Sequence, residues 1–200
     1  MAALSPPLTR QGPAQLPRLT LADYHALPEG PPHFEFEHGE LIPMNRPHAD
    51  HQAMLLKLGG AIDNHVTRHA LGRLWPEVEV DLTPDHGYVP DLAFLTTDHL
   101  TQVSPPGVIT GAPDLVVEIL SPNTARRDRT AKFRAYQQAG VPWLWLVDPV
   151  DLIIEEYRLT AEGYLRAQTT GPDETFRPGL FPELTINLAE LLGSTAPPTE

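Results

Sequence analysis

The chain contains no cysteine, which excludes disulfides, thiolate zinc sites and a cysteine nucleophile, and leaves no thiol usage from which to read a redox compartment. Lysine is nearly absent as well. Lys57 and Lys132 are the only lysines among 14 basic residues, which face 26 acidic ones for a formal charge of -12. That balance argues against a sequence-independent nucleic-acid binder, which normally carries a basic footprint. It leaves room for an enzyme acting on nucleic acid, because a metal site concentrates carboxylates and a bound cation reverses the local sign. No segment approaches the roughly 20 consecutive apolar residues of a spanning helix, and "MAALSPPLTRQGPAQLPR" lacks the apolar core of a signal peptide. A cytoplasmic protein with no membrane partner is the expectation.

With 200 residues and 41% hydrophobic content, the chain is long enough for one domain with a sizeable core. Its Pro-rich start (1-18) and its end "GSTAPPTE" (193-200) read as flexible tails around a single domain over 19-192. "TLADYHALPEG" has Thr20 and Asp23 at capping-box spacing and predicts a short helix. "HFEFEHGELIPM" alternates and turns at His38-Gly39, a β-hairpin. From His48 to Ala70, Leu55, Leu58, Ile62 and Val66 recur at three- and four-residue intervals, a long amphipathic helix whose stripe extends back to His51. "RLWPEVEVDLT" predicts a half-exposed strand, and "YVPDLAFL", after the turn "PDHG", a second. "DLVVEIL" is apolar on both faces, as a central strand must be. "ARRDRTAKFRAYQQAG" predicts a helix capped at Gly140. "VPWLWLVDP" follows as another strand, then the hairpin "LIIEEYRL"/"GYLRAQTT" and a short helix in "TINLAELLG". The order from His48 to Pro149 is α-β-β-β-α-β, an α/β pattern with a helical crossover.

Two of these strands carry one acid each among apolar neighbours. Alternation places Asp91 with Val89 and Ala93, and Glu118 with Val116 and Leu120. If the strands pair with both acids on one face, each carboxylate raises the other's pKa by repulsion and desolvation. A hard divalent cation relieves that conflict, since Mg²⁺ is commonly held by one or two carboxylates plus waters and phosphates. The competing reading places both acids at strand ends, neutralised by Arg126, Arg127 or Arg129. Lys132 has a plain alternative too, an exposed helical ion pair with Asp128 four residues before it. His51 either faces the site or packs at the helix start, and Glu35 either faces it or belongs to the polar face of the hairpin. His65 and His69 have zinc-ligand spacing without a third ligand in view. Glu77, Glu79 and Asp81 read as a solvated strand face, and Trp143, Trp145 and Tyr157 as core or dimer surface.

In "FEFEHGEL", His51, "VPDLAFL", "PDLVVEILSPNT", "KFRAY" and "AGVPWLWLVDP", taken in order over about residues 20 to 190, the chain resembles the Uma2 family of the PD-(D/E)XK nuclease superfamily. The resemblance implies an α/β (α+β) fold with a restriction endonuclease-like core of α-β-β-β-α-β order, a mixed central sheet and added N- and C-terminal hairpins. It implies a divalent-metal-dependent phosphodiester hydrolase, a DNA endonuclease, using Mg²⁺ or Mn²⁺. Carried over by residue, Asp91 and Glu118 are the metal ligands, and Glu35 and His51 face the same cleft. The chain departs from the superfamily pattern at Leu120, where a lysine is expected; Lys132 on the following helix offers the missing cation. Alternatives are a non-catalytic binding or regulatory module of the same fold, and a hydrolase of small phosphate esters. A homodimer through the end of "WLWLVDP" and the hairpin after it is the expected assembly.

Overall fold

The computed structural model describes residues 18–28, 30–105, 107–122 and 124–193. The expected tails, 1-18 and 193-200, lie outside these apart from Arg18 and Gly193. The chain opens with α1 (Leu21–His25), where Thr20 and Asp23 form the reciprocal capping box that their spacing predicts. Strands β1 (Phe34–Glu37) and β2 (Glu40–Pro43) make the hairpin that turns at His38-Gly39. The amphipathic stripe becomes α2 (Ala49–Arg68), whose Met54, Leu58, Ile62 and Val66 are fully buried.

The next stretch differs from the expectation. "RLWPEVEVDLT" is two strands, β3 (Gly72–Pro76) and β4 (Val80–Thr83), and "YVPDLAFL" divides into the end of β5 (His86–Tyr88) and β6 (Leu92–Thr96). The β3–β6 ladder ends at Pro76 opposite Leu92, and the β4–β5 ladder begins at Val80 opposite Tyr88. These are the arms of one long hairpin that bend together from one sheet into another. Glu77 takes the turn with φ 45, and its N–H donates to the Asp91 carbonyl at 3.0 Å, tying the two kinks to each other. Alternation survives the bend in the sequence, which is why the split is invisible there.

A 3₁₀ turn (Thr97–Gln102) and the two-residue β7 (Ile109–Thr110) lead to β8 (Leu115–Ile119), buried at every position. The crossover comprises α3 (Ala125–Arg127), a π-helical turn (Asp128–Lys132) and α4 (Phe133–Ala139), closed by Gly140 at φ 88. It delivers the chain to β9 (Trp143–Asp148), then to the hairpin β10 (Ile153–Thr160) and β11 (Gly163–Thr170), and finally to α5 (Leu188–Leu192).

Two mixed sheets result. The larger has the order β11-β10-β9-β8-β6-β3 and the smaller β2-β1-β5-β4-β7. Within the larger sheet the chain order is α2, β3, β6, β8, crossover helix, β9, with β8 and β9 parallel and the other neighbours antiparallel. That is the expected α-β-β-β-α-β core, with β4, β5 and β7 as an excursion into the second sheet. One face of the large sheet (Leu92, Phe94, Val117, Ile119, Trp145) packs on α2. The other (Ala93, Val116, Leu120, Leu144, Leu146) packs on Tyr136 and Ala135 of α4 and on Val80, Leu82 and Tyr88 of the small sheet. Glu118 alternates with Val116 and Leu120, so it points into the layer between the sheets. No helix among the described residues is long and apolar enough to cross a membrane.

Candidate functional site

A cleft of about 340 Å³ opens where the bent hairpin, the start of α2, the end of β8 and the crossover helix meet, and Glu35, His51, Asp91, Glu118 and Lys132 all line it. The fold therefore brings together the five residues nominated for one cleft by the resemblance, the helix lysine among them. Asp91 sits at the kink, one residue before β6. Its Oδ2 accepts from the Ile119 N–H at 2.6 Å, and its Oδ1 lies 3.1 Å from His51 Nε2. His51 reaches it from the first turn of α2, and its Nδ1 is buried without a partner among the described residues. Burial alone would lower the His51 pKa, but its bond to Asp91 and that residue's charge outweigh burial and raise it.

Glu118 is 3% exposed, and two donors meet its Oε1: Lys132 Nζ at 2.7 Å and the Tyr136 hydroxyl at 2.6 Å. Its Oε2 takes no donor from the described residues. Lys132 also lies 2.9 Å from Glu35 Oε1 and 3.9 Å from Asp128 Oδ1. Glu35 accepts from the Val89 N–H at 3.1 Å and from Arg127, whose other nitrogen donates to Glu37 Oε2 at 2.9 Å. One ammonium thus joins a strand acid, a hairpin acid and a helix acid.

The charge states follow from that sharing. Burial would depress the Lys132 ammonium, but Glu118, Glu35 and Asp128 together hold its pKa well above the ordinary lysine range. Burial would raise Glu35, yet Lys132 and Arg127 keep it below its usual value. Glu118 moves the other way. Desolvation, with Asp128, Asp91 and Glu35 nearby, pushes it up to about 8 against the pull of Lys132. Both shifts have one cause: several acids compete for one ammonium, which keeps Lys132 charged and leaves Glu118 easier to protonate than an exposed glutamate. Asp128 is raised by burial as well.

The donor set suits a hard divalent cation. Five carboxylates line the cleft (Glu35, Glu77, Asp91, Glu118, Asp128) against the fixed cations Arg46, Arg127 and Lys132. That excess of acid, together with the open oxygen of Glu118, is what a dication would neutralise. The trios of His and acidic ligand atoms within 4.8 Å of one another, among the described residues, lie elsewhere.

Several plain alternatives are corrected. Asp128 and Lys132 are 4% and 5% exposed, so they are no surface ion pair. Arg127 holds Glu35 and Glu37, Arg129 holds Glu155, and Arg126 is exposed, so none of the three neutralises Asp91 or Glu118. Glu35 is buried rather than part of a solvated hairpin face. Glu79 and Asp81 contact His25 instead of lying free in water. Trp145, read as core or dimer surface, is core, edge-on against Phe176. Tyr136, which donates to Glu118, and Arg127, which donates to Glu35, support the site although the sequence did not assign them to it. For Tyr136 the legible signal was its four-residue spacing from Lys132 and Asp128, which puts all three on one face of the helix.

The mixed sheet of α-β-β-β-α-β order, with an acid-lined cleft beside it, is a nuclease-like fold. Residues 21–189 match the Uma2 family, described as "Putative restriction endonuclease", and the chain belongs to that family. It is also similar to a crystal structure from Anabaena variabilis titled a putative nuclease belonging to DUF820. The identity is 25% and the TM-score 0.74, over 88% of this chain and 98% of that one. None of the curated proteins matches it.

Proposed function

We propose that the protein is a divalent-metal-dependent phosphodiesterase, a DNA endonuclease, with Asp91 and Glu118 holding Mg²⁺ or Mn²⁺. The observation that carries this is Lys132 Nζ at 2.7 Å from Glu118 and 2.9 Å from Glu35 inside the cleft, which supplies from the helix the cation that Leu120 cannot supply from the strand. When bound, the cation offers Lewis acidity toward a phosphoryl oxygen and a more acidic water beside it. Everything else falls to the chain. Lys132 remains protonated, so it acts as a donor and not as a base: it orients a water and stabilises charge building on the phosphoryl oxygens. Tyr136, whose hydroxyl burial keeps neutral, fixes the Glu118 rotamer. His51 fixes Asp91, and Arg127 fixes Glu35.

The test is cleavage of supercoiled, duplex and single-stranded DNA, and of RNA, with and without Mg²⁺ or Mn²⁺, by the native chain and by Asp91→Asn and Glu118→Gln. Metal-dependent DNA cutting that both substitutions abolish is the expected result. Tight metal binding with no cutting of any polymer would mark a binding module instead, and turnover of small phosphodiesters alone would change the substrate class. The proposal includes a homodimer formed through the β9 end and the following hairpin, where Val150 and Leu165 are exposed apolar side chains. Light scattering is expected to give twice the chain mass.

A further inference from the structure

Outside the cleft, Glu37, His38 and His86 converge at the β1–β2 turn, their ligand atoms all within 4.8 Å of one another. We propose that these three side chains form a second metal site, for Zn²⁺ or a similar borderline transition cation, with water completing a tetrahedron. Two imidazoles and a carboxylate are the ligand types such ions take, at about 2.0–2.2 Å from the metal.

The surroundings fit ligands held for use. Thr83 Oγ1 lies 2.8 Å from His86 Nδ1, which commits that nitrogen and leaves Nε2 for coordination. Arg127 holds Glu37 through Oε2 alone, and Oε1 takes no donor from the described residues. Outer-sphere partners of this kind orient metal ligands and raise their affinity. Glu37 and His86 are register partners across β1 and β5, and the two imidazole rings are 4.4 Å apart. His38 occupies a left-handed turn position, φ 51, followed by Gly39 at φ 84, and its N–H donates to the Asp85 carbonyl at 2.8 Å. Asn, Asp or Gly would fill that position at least cost, yet the chain places an imidazole there, beside His86. The other trio, His25 with Glu79 and Asp81, is a poorer candidate. Its single histidine spends one nitrogen on each carboxylate, at 3.3 Å and 2.9 Å.

Zn²⁺ titration of the tag-free, chelator-treated full chain tests the site, with Co²⁺ absorbance as a reporter of tetrahedral geometry. It is carried out on the Asp91→Asn/Glu118→Gln double variant, so that the cleft does not contribute and a failed nuclease assay has no bearing on the outcome. One Zn²⁺ per chain, with His38→Asn weakening it by more than about tenfold, is the expected result. Asn tolerates the left-handed turn, so that variant keeps the hairpin even if His86→Ala, at a buried position, disturbs it. No binding by the double variant, or binding that His38→Asn leaves unchanged, overturns the proposal.

Discussion

Lys132 decides what the cleft can do, because its ammonium is the shared partner of Glu118, Glu35 and Asp128. Lys132→Met, which keeps the stem and removes the charge, is expected to lower DNA cleavage at least about 100-fold, as loss of a transition-state donor does. Mn²⁺ affinity, measured by calorimetry, should survive the change; loss of both together would make Lys132 a scaffold only. Glu118 predicts a pH effect on the metal-free protein. Its folded pKa of about 8 stands above its reference value of 4.5, so between those limits the folded chain binds more protons than the unfolded one. The Glu118 contribution to stability therefore falls as pH rises through that window. His51, raised by Asp91, contributes with the same sign, since its stabilisation is lost as pH climbs through its folded pKa. Urea denaturation at pH 5 and pH 8 should show the decline, and Glu118→Gln should reduce it. An unchanged slope in that variant would contradict the charge assignment.

The elements separate what sequence pattern reveals from what it hides. The Thr20–Asp23 box, the His38-Gly39 turn, the stripe of α2, the buried strand β8 and the Gly140 cap were legible because each rests on a local rule of period, capping or left-handed φ. Gly140→Ala puts a Cβ into open space at φ 88, so only backbone strain opposes it, and a loss of about 1–2 kcal/mol in urea denaturation is expected. A neutral result would mean that the helix end relaxes. The kinks at Glu77 and at Val89-Pro90-Asp91 were not legible, because period-two alternation fixes which face a residue takes but says nothing of which sheet its strand joins. The π-helical turn at Asp128–Lys132 was hidden too, since a single turn of i→i+5 bonding leaves no mark on a sequence pattern.

At the scale of the molecule, a chain of charge -12 surrounds a cleft in which Arg46, Arg127 and Lys132 are gathered against a larger number of acids. The acid pair was legible as a conflict needing resolution. The partners of Lys132 were not, because Glu35 arrives on another sheet and the distance between them depends on how the two sheets stack. The assignment of Asp91 and Glu118 as metal ligands is the claim on which the proposed function depends. Anomalous diffraction from a crystal soaked in Mn²⁺ tests it most directly: the account predicts a peak shared by the Asp91 and Glu118 carboxylates, and a fully soaked crystal with no peak between them would contradict it.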